Sequence, residues 1–205
     1  MMKKPVLLTI ILILACITGY LLFFRKAVKP EEKKDQSMAI SKNSNALEAS
    51  FSELIAAYYS VKDALVDWDS TAADGAVMTL QLRADSLPLT QLKADSGVIQ
   101  TAGNFASSIS SEAKGFKGET TLEQKRRAFN MITDEMYNLL RTVKYSGSMV
   151  YHIKCPMAFN DSEEAYWLSN TSKVINPYLG RKHPKYHDKM TDCGEVVDSI
   201  DFVKK

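Results

Sequence analysis

At 205 residues the chain has room for one compact domain, or one domain with a small appendage. Its 26 basic and 24 acidic side chains nearly cancel, and the formal net charge of +2 excludes the broad basic face that a nucleic-acid partner requires. The hydrophobic fraction of 45% is ordinary for a globular protein, although part of it is concentrated in one N-terminal block.

That block covers residues 6–24, preceded by Lys3 and Lys4 and followed by Arg25 and Lys26. Nineteen residues, interrupted only by Thr9, Thr18, Gly19 and Tyr20, reach roughly 28 Å as a helix, close to the hydrocarbon thickness of a bilayer. Residues 1–26 are therefore expected to form an uncleaved membrane anchor. The alternative is a lipoprotein signal, because Ile13-Leu14-Ala15-Cys16 has the small-residue approach to a lipidated cysteine. The apolar run continues past Cys16 to Phe24, which favours the anchor, and either reading places the chain at a membrane. Charge flanks alone point the C-terminal part towards the cytoplasm, because the basic residues after the block outnumber those before it. The very short N-terminal flank is instead that of a signal-anchor. Residues 27–44, rich in Lys, Glu, Ser and Asn around Pro30, read as a flexible tether.

From Asn45 the pattern becomes helical. Leu47, Phe51, Leu54, Tyr58, Val61, Leu65 and Trp68 recur at spacings of four and three, one stripe along about six turns. A second run, Ala73, Ala76, Val77, Leu80, Ala84 and Leu87, follows a capping-box-like Thr71 and Asp74 and stops against Pro88. The third carries Leu92, Ile99, Ala102, Phe105, Ala106, Ile109, Ala113 and Phe116, and ends at Gly115 and Gly118. The fourth opens on Thr120 and Glu123 and runs through Phe129, Ile132, Met136, Leu139 and Val143 to Gly147. Residues 45–147 are thus expected to form a mainly α architecture, an antiparallel four-helix up-and-down bundle. Within it, Met78, Met131 and Met136 read as packing residues, Tyr58, Tyr59 and Trp68 as core and rim, and Lys125, Arg126 and Arg127 as a solvated helix face.

Residues 148–205 lose the helical period. Residues 149–154 and 195–202 read as two strands, and Asp161-Ser162-Glu163-Glu164 as the cap of a short helix through Ala165, Tyr166, Trp167 and Leu168, a small two-stranded α+β tail packed on the bundle. This tail holds all three histidines and two of the three cysteines. If the two strands pair antiparallel, Cys155 at the exit of the first faces Cys193 at the start of the second.

Two chemistries fit that set. Cys155, Met157, Met190 and Cys193 are the soft donors that select Cu(I), with His152 as a further ligand; zinc fits less well, because the spacing matches no finger pattern and leaves the methionines idle. Alternatively, Cys155 and Cys193 form a structural disulfide. His183 and His187 have helical ligand spacing, but Pro184 disfavours a helix at His183. A thiol enzyme is not expected, because His152 and Cys155, three apart on a strand, project to opposite faces.

Tyr151 to Met157 with its Cys155-Pro156-Met157 core, Tyr166-Trp167-Leu168-Ser169, Asn176-Pro177-Tyr178 with Gly180, and Met190 with Cys193-Gly194 together resemble an uncharacterised bacterial extracytoplasmic domain family. Its members stand alone behind a signal or anchor, or are fused to the C-terminus of periplasmic adaptor subunits of heavy-metal efflux pumps. The resemblance covers about residues 48–202 in helical layout and residues 151–194 in motifs. It implies a domain on the periplasmic side, tied to copper or related metal efflux and partnered by an efflux transporter or another envelope protein. The chain departs from the family pattern by a longer insert at residues 181–189, which contains His183 and His187.

Overall fold

The computed structural model describes residues 43–202. The expected anchor at residues 1–26, lipidation at Cys16 and all but the last two residues of the tether lie outside the described residues. Among the described residues no helix is long and apolar enough to cross a membrane.

Four helices form where the apolar periodicity places them. Helix α1 (Asn45–Val66) is capped by Ser44, whose hydroxyl accepts from Leu47 N at 3.2 Å. Helix α2 (Ser70–Asp85) starts one residue after Asp69, whose carboxylate accepts from Ala72 N at 2.9 Å. The expected start at Thr71 is superseded, and Asp74 is instead spent on Lys125, 2.6 Å away. A single 3₁₀ turn (Leu89–Gln91) follows Pro88, and Asp95 caps helix α3 (Ser96–Gly118). Helix α4 (Leu122–Thr142) is capped by Thr121 rather than Thr120. Trp68 turns the chain between α1 and α2 in the left-handed region, with φ of 60°.

Leu47, Phe51, Leu54, Tyr58, Val61 and Leu65 of α1 are all buried, and so are Phe129, Ile132, Met136 and Leu139 of α4. Tyr58 stacks on Phe129 with ring centroids 4.9 Å apart, and its hydroxyl lies 2.7 Å from Thr133 Oγ1. Two expectations fail on the surface. Met78 and Met131 are 50% and 52% exposed, so only Met136 of the three methionines packs in the core. Conversely Lys125 and Arg126 are 3% and 4% exposed and do not belong to a solvated face; only Arg127 faces outward, between Glu123 and Glu163. Spacing explains the error. Residues 125 and 126 stand four and three before Phe129, on the apolar stripe itself.

The tail is a three-stranded antiparallel sheet in the order β2-β1-β3, from β1 (Val150–Phe159), β2 (Glu163–Ser169) and β3 (Glu195–Ile200). The short helix expected at residues 161–168 is strand β2. Asn160 and Asp161, with φ of 50° and 59°, make a tight reversal that pairs β2 with β1. The capping pattern at Asp161 belongs to that turn, and the strand buries Ala165, Trp167 and Ser169 on one face and Leu168 on the other. Strand β3 has an extra residue, Val197, opposite the His152–Ile153 step, a bulge that leaves the parity of β1 intact.

One face of the sheet meets α4: the Tyr137 and His152 rings lie 4.2 Å apart, and Asp198 accepts from Tyr137 and Arg141. The segment between β2 and β3 is tied to the helices by Trp68 Nε1 donating to Leu179 O at 2.9 Å, by Arg181 N donating to Val66 O at 2.8 Å, and by Arg126 Nε donating to Pro177 O at 2.9 Å. Asn176 organises that segment from within: its Oδ1 accepts from Tyr178 N and Leu179 N, and its Nδ2 donates to Cys193 O.

Candidate functional site

The sulfur pair arises from strand register. Cys155 pairs with Ala165 across β1 and β2, and the last β1–β3 partners are Lys154 and Glu195, so the residues just before β3 arrive beside Cys155. Gly194 makes that approach feasible. It has φ of 144°, and a Cβ there would stand 2.7 Å from the Trp167 ring and 2.8 Å from Lys154 O. The antiparallel pairing and the meeting of the two cysteines are as the strands imply, with the sulfurs 3.0 Å apart. Cys155 is buried and Cys193 half-buried, both as thiols. Burial, and next the hydrogen bond with Cys155, push the Cys193 thiol up to about 12.

The other candidates are distributed unevenly. Met190 is joined to Cys193 by a turn in which Cys193 N donates to Met190 O at 3.2 Å, and both pack against the core. Met157 is also partly buried against that core, beyond Cys155 on β1. His152 is separated from the pair. It stands three residues before Cys155 on a regular stretch of β1, so it projects from the opposite face, between the Tyr137 and Tyr166 rings. Its Nε2 is buried without a hydrogen-bond partner, and burial lowers its pKa to about 4. Among the described residues no group of three or more His, Cys, Asp or Glu side chains could hold a metal ion.

His183 and His187 face each other across an isolated bridge, with His187 N donating to His183 O at 2.8 Å. His183 Nδ1 is occupied, accepting from Lys185 N and Tyr186 N at 3.1 and 3.2 Å. It shapes the turn of the insert.

Distances separate the two chemistries of the pair. A disulfide requires sulfurs about 2.05 Å apart, whereas a tetrahedral ion with bonds of about 2.3 Å holds its thiolates about 3.8 Å apart. At 3.0 Å the sulfurs are inside the separation that a shared ion needs. A shared tetrahedral ion would have to spread them.

No curated protein and no solved structure matches the chain. Residues 54–147, from within α1 to just beyond α4, match a family described as a protein of unknown function (DUF3347).

Proposed function

We propose that the chain is a membrane-tethered, non-catalytic module on the extracytoplasmic side of the cell envelope, in which Cys155 and Cys193 form a structural disulfide and the helical domain docks onto an envelope partner. The 3.0 Å sulfur separation carries this reading. With its pKa pushed up to about 12 by burial, the Cys193 thiol is a weak nucleophile at neutral pH, and an imidazole on the opposite face cannot act as its base. Residues 1–26 provide the anchor, or Cys16 the lipid. The efflux transporter as partner, and the periplasmic side, rest on the family resemblance at residues 151–194.

A soft-metal role for the reduced pair keeps one observation in its favour: Met190 and Cys193 share a turn beside Cys155, so three sulfurs lie in one part of the tail. Cu(I) is the ion those donors select, with zinc second, and Met157 the nearest further thioether in sequence. His152 is no member of that set.

Mass-tagging of thiols on the full chain recovered from membranes tests the proposal. At most one tag, on Cys16, is expected before reduction and two more after it, with normal growth of a deletion strain under copper challenge. Free Cys155 and Cys193 in the native chain, together with stoichiometric Cu(I) binding lost in Cys155→Ser and Met157→Leu, overturn it in favour of the metal reading.

A further inference from the structure

Among the described residues three basic side chains are buried, Lys62, Lys125 and Arg126, and only Arg126 is not paired with a carboxylate. Lys62 lies 3.1 Å from Asp63 and Lys125 lies 2.6 Å from Asp74. Arg126, equally buried, is held by carbonyls: Nε donates to Pro177 O and Nη2 to Leu65 O, both at 2.9 Å, while its guanidinium carbon sits 4.0 Å from the centre of the Trp68 ring. These contacts fix its plane. They leave Nη1 without a hydrogen-bond partner among the described residues, and they neutralise nothing. Burial lowers its pKa to about 9, so it stays protonated at neutral pH. An unpaired interior charge costs several kcal/mol, of the order that the ring contact and two charge-assisted hydrogen bonds offset only in part.

Arg126 is not sealed in. It lines a cleft of about 540 Å³ between the first turn of α4, Trp68, the β1–β2 reversal and the insert at residues 183–185. One part of the wall is aromatic or apolar, with Trp68, Phe159, Tyr178 and Pro184, and the rest is polar or charged. Two carboxylates also face the cleft, and both are engaged. Glu123 accepts from Arg127, and Asp161 accepts from Lys185 and Tyr186. His183 contributes a donor: with Nδ1 accepting two backbone N–H groups, the neutral ring carries its proton on Nε2. Of the charged side chains that line it, Arg126 alone is not paired with one of opposite sign, and a cleft of this size with apolar surface beside one such charge has the composition of a small-molecule site.

We propose that this cleft binds a small organic monoanion, a carboxylate on an apolar or aromatic body, with the carboxylate on Arg126 and the body against Trp68 and Phe159. The site is separate from the sulfur pair, and its failure leaves the disulfide untouched. One unpaired guanidinium matches one carboxylate; the ligand provides the counter-charge that the fold omits.

The test is titration of the full chain with sodium benzoate, read by NMR at the indole N–H signals. The Trp68 signal is expected to shift saturably while that of Trp167 stays in place. Benzyl alcohol, the neutral analogue, is expected to bind at least about tenfold more weakly, as loss of a charge-assisted hydrogen bond implies. Added sodium chloride should weaken benzoate binding. Arg126→Gln should abolish it; because that variant also loses two carbonyl contacts and can fail to fold, Ala158→Leu, which narrows the cleft without touching its charge, is the second arm and should weaken benzoate by a similar factor. No Trp68 shift with benzoate or acetate at tens of millimolar overturns the proposal. Equal binding of benzyl alcohol overturns it in favour of a merely apolar pocket, and inorganic phosphate displacing benzoate at equal concentration overturns the requirement for an apolar body.

Discussion

Reducing the proposed Cys155–Cys193 disulfide, or replacing Cys193 by Ser, should destabilise the domain by an amount set by the chain that the bond closes. The two residues are 38 positions apart, and the chain-entropy relation for a loop of that length gives about 4 kcal/mol. Two features of the structure bear on how much of that is realised. The two sulfurs already face each other 3.0 Å apart in the folded chain. The closed loop also includes β2 and the segment that bears Asn176, whose backbone contacts to Cys193 and Thr191 hold the same region without the bond. The measurement is urea unfolding of the full chain, oxidised and reduced, with Cys193→Ser in both conditions. The oxidised protein should be more stable by about 3–4 kcal/mol, and the variant should match the reduced wild type and ignore reductant. A difference below about 1 kcal/mol, or equal sensitivity of the variant to reductant, refutes the disulfide as the clasp of the tail.

His152 should make the fold acid-sensitive. Its pKa is about 4 in the folded protein against an ordinary value near 6.5, so above pH 6.5 neither state binds the proton and the residue contributes no slope. Between pH 6.5 and 4 the unfolded chain takes up a proton that the native ring refuses, and stability falls as pH falls; below 4 the loss levels off. The shift corresponds to roughly 3 kcal/mol, which partial solvent access of the ring reduces to about 1–2 kcal/mol, and His152→Leu should remove that portion of the pH dependence in thermal melts. Gly180→Ala should cost about 2 kcal/mol or more in the same melts, because φ is +57° and the added Cβ would stand 2.6 Å from Val66 O and from Trp68 Nε1; a variant as stable as the wild type would show that the junction yields.

Helices were legible because their signal is local. The α1 stripe from Leu47 to Leu65 and the α4 stripe from Phe129 to Leu139 need only the 3.6-residue period, and both are buried as spaced. Caps were legible only to within one or two residues, since Asp69 competes with Thr71, and Thr121 with Thr120, for the same first-turn N–H groups. The segment at residues 161–168 failed for a different reason. Its capping pattern is satisfied equally by a tight reversal, and the pairing of Tyr166 with Lys154 that makes it a strand is a contact with another part of the chain. The cysteine pair could be anticipated because it follows from antiparallel register alone. The cleft could not: Arg126 is basic, and a charge count assigns it to solvent, although its place three residues before Phe129 sets it on the buried face.

The family match ends at residue 147, yet the folding unit does not. Cutting the chain there would strip α1 and α4 of the partners that make their polar groups tolerable inside the protein. Tyr58 hydroxyl accepts from Leu168 N at 3.0 Å, Arg126 gives one of its two carbonyl contacts to Pro177, and Trp68 Nε1 gives its hydrogen bond to Leu179. The apolar loss is larger still. Val150, Ile153, Trp167, Leu168, Tyr178 and Ile200 are all buried, and at about 1.5–3 kcal/mol each their removal is comparable to the whole stability of an ordinary domain, about 5–15 kcal/mol. A chain ending at residue 147 should therefore remain helical by far-ultraviolet circular dichroism while losing its cooperative thermal transition and binding hydrophobic dyes. A sharp two-state melt from that fragment would show that the helices bury a sufficient core among themselves, and the sheet would then be an attachment rather than a wall of the same domain. The unpaired charge of Arg126 weighs against that outcome, because both carbonyls that hold it, one from α1 and one from the tail, are needed to keep it in place over Trp68.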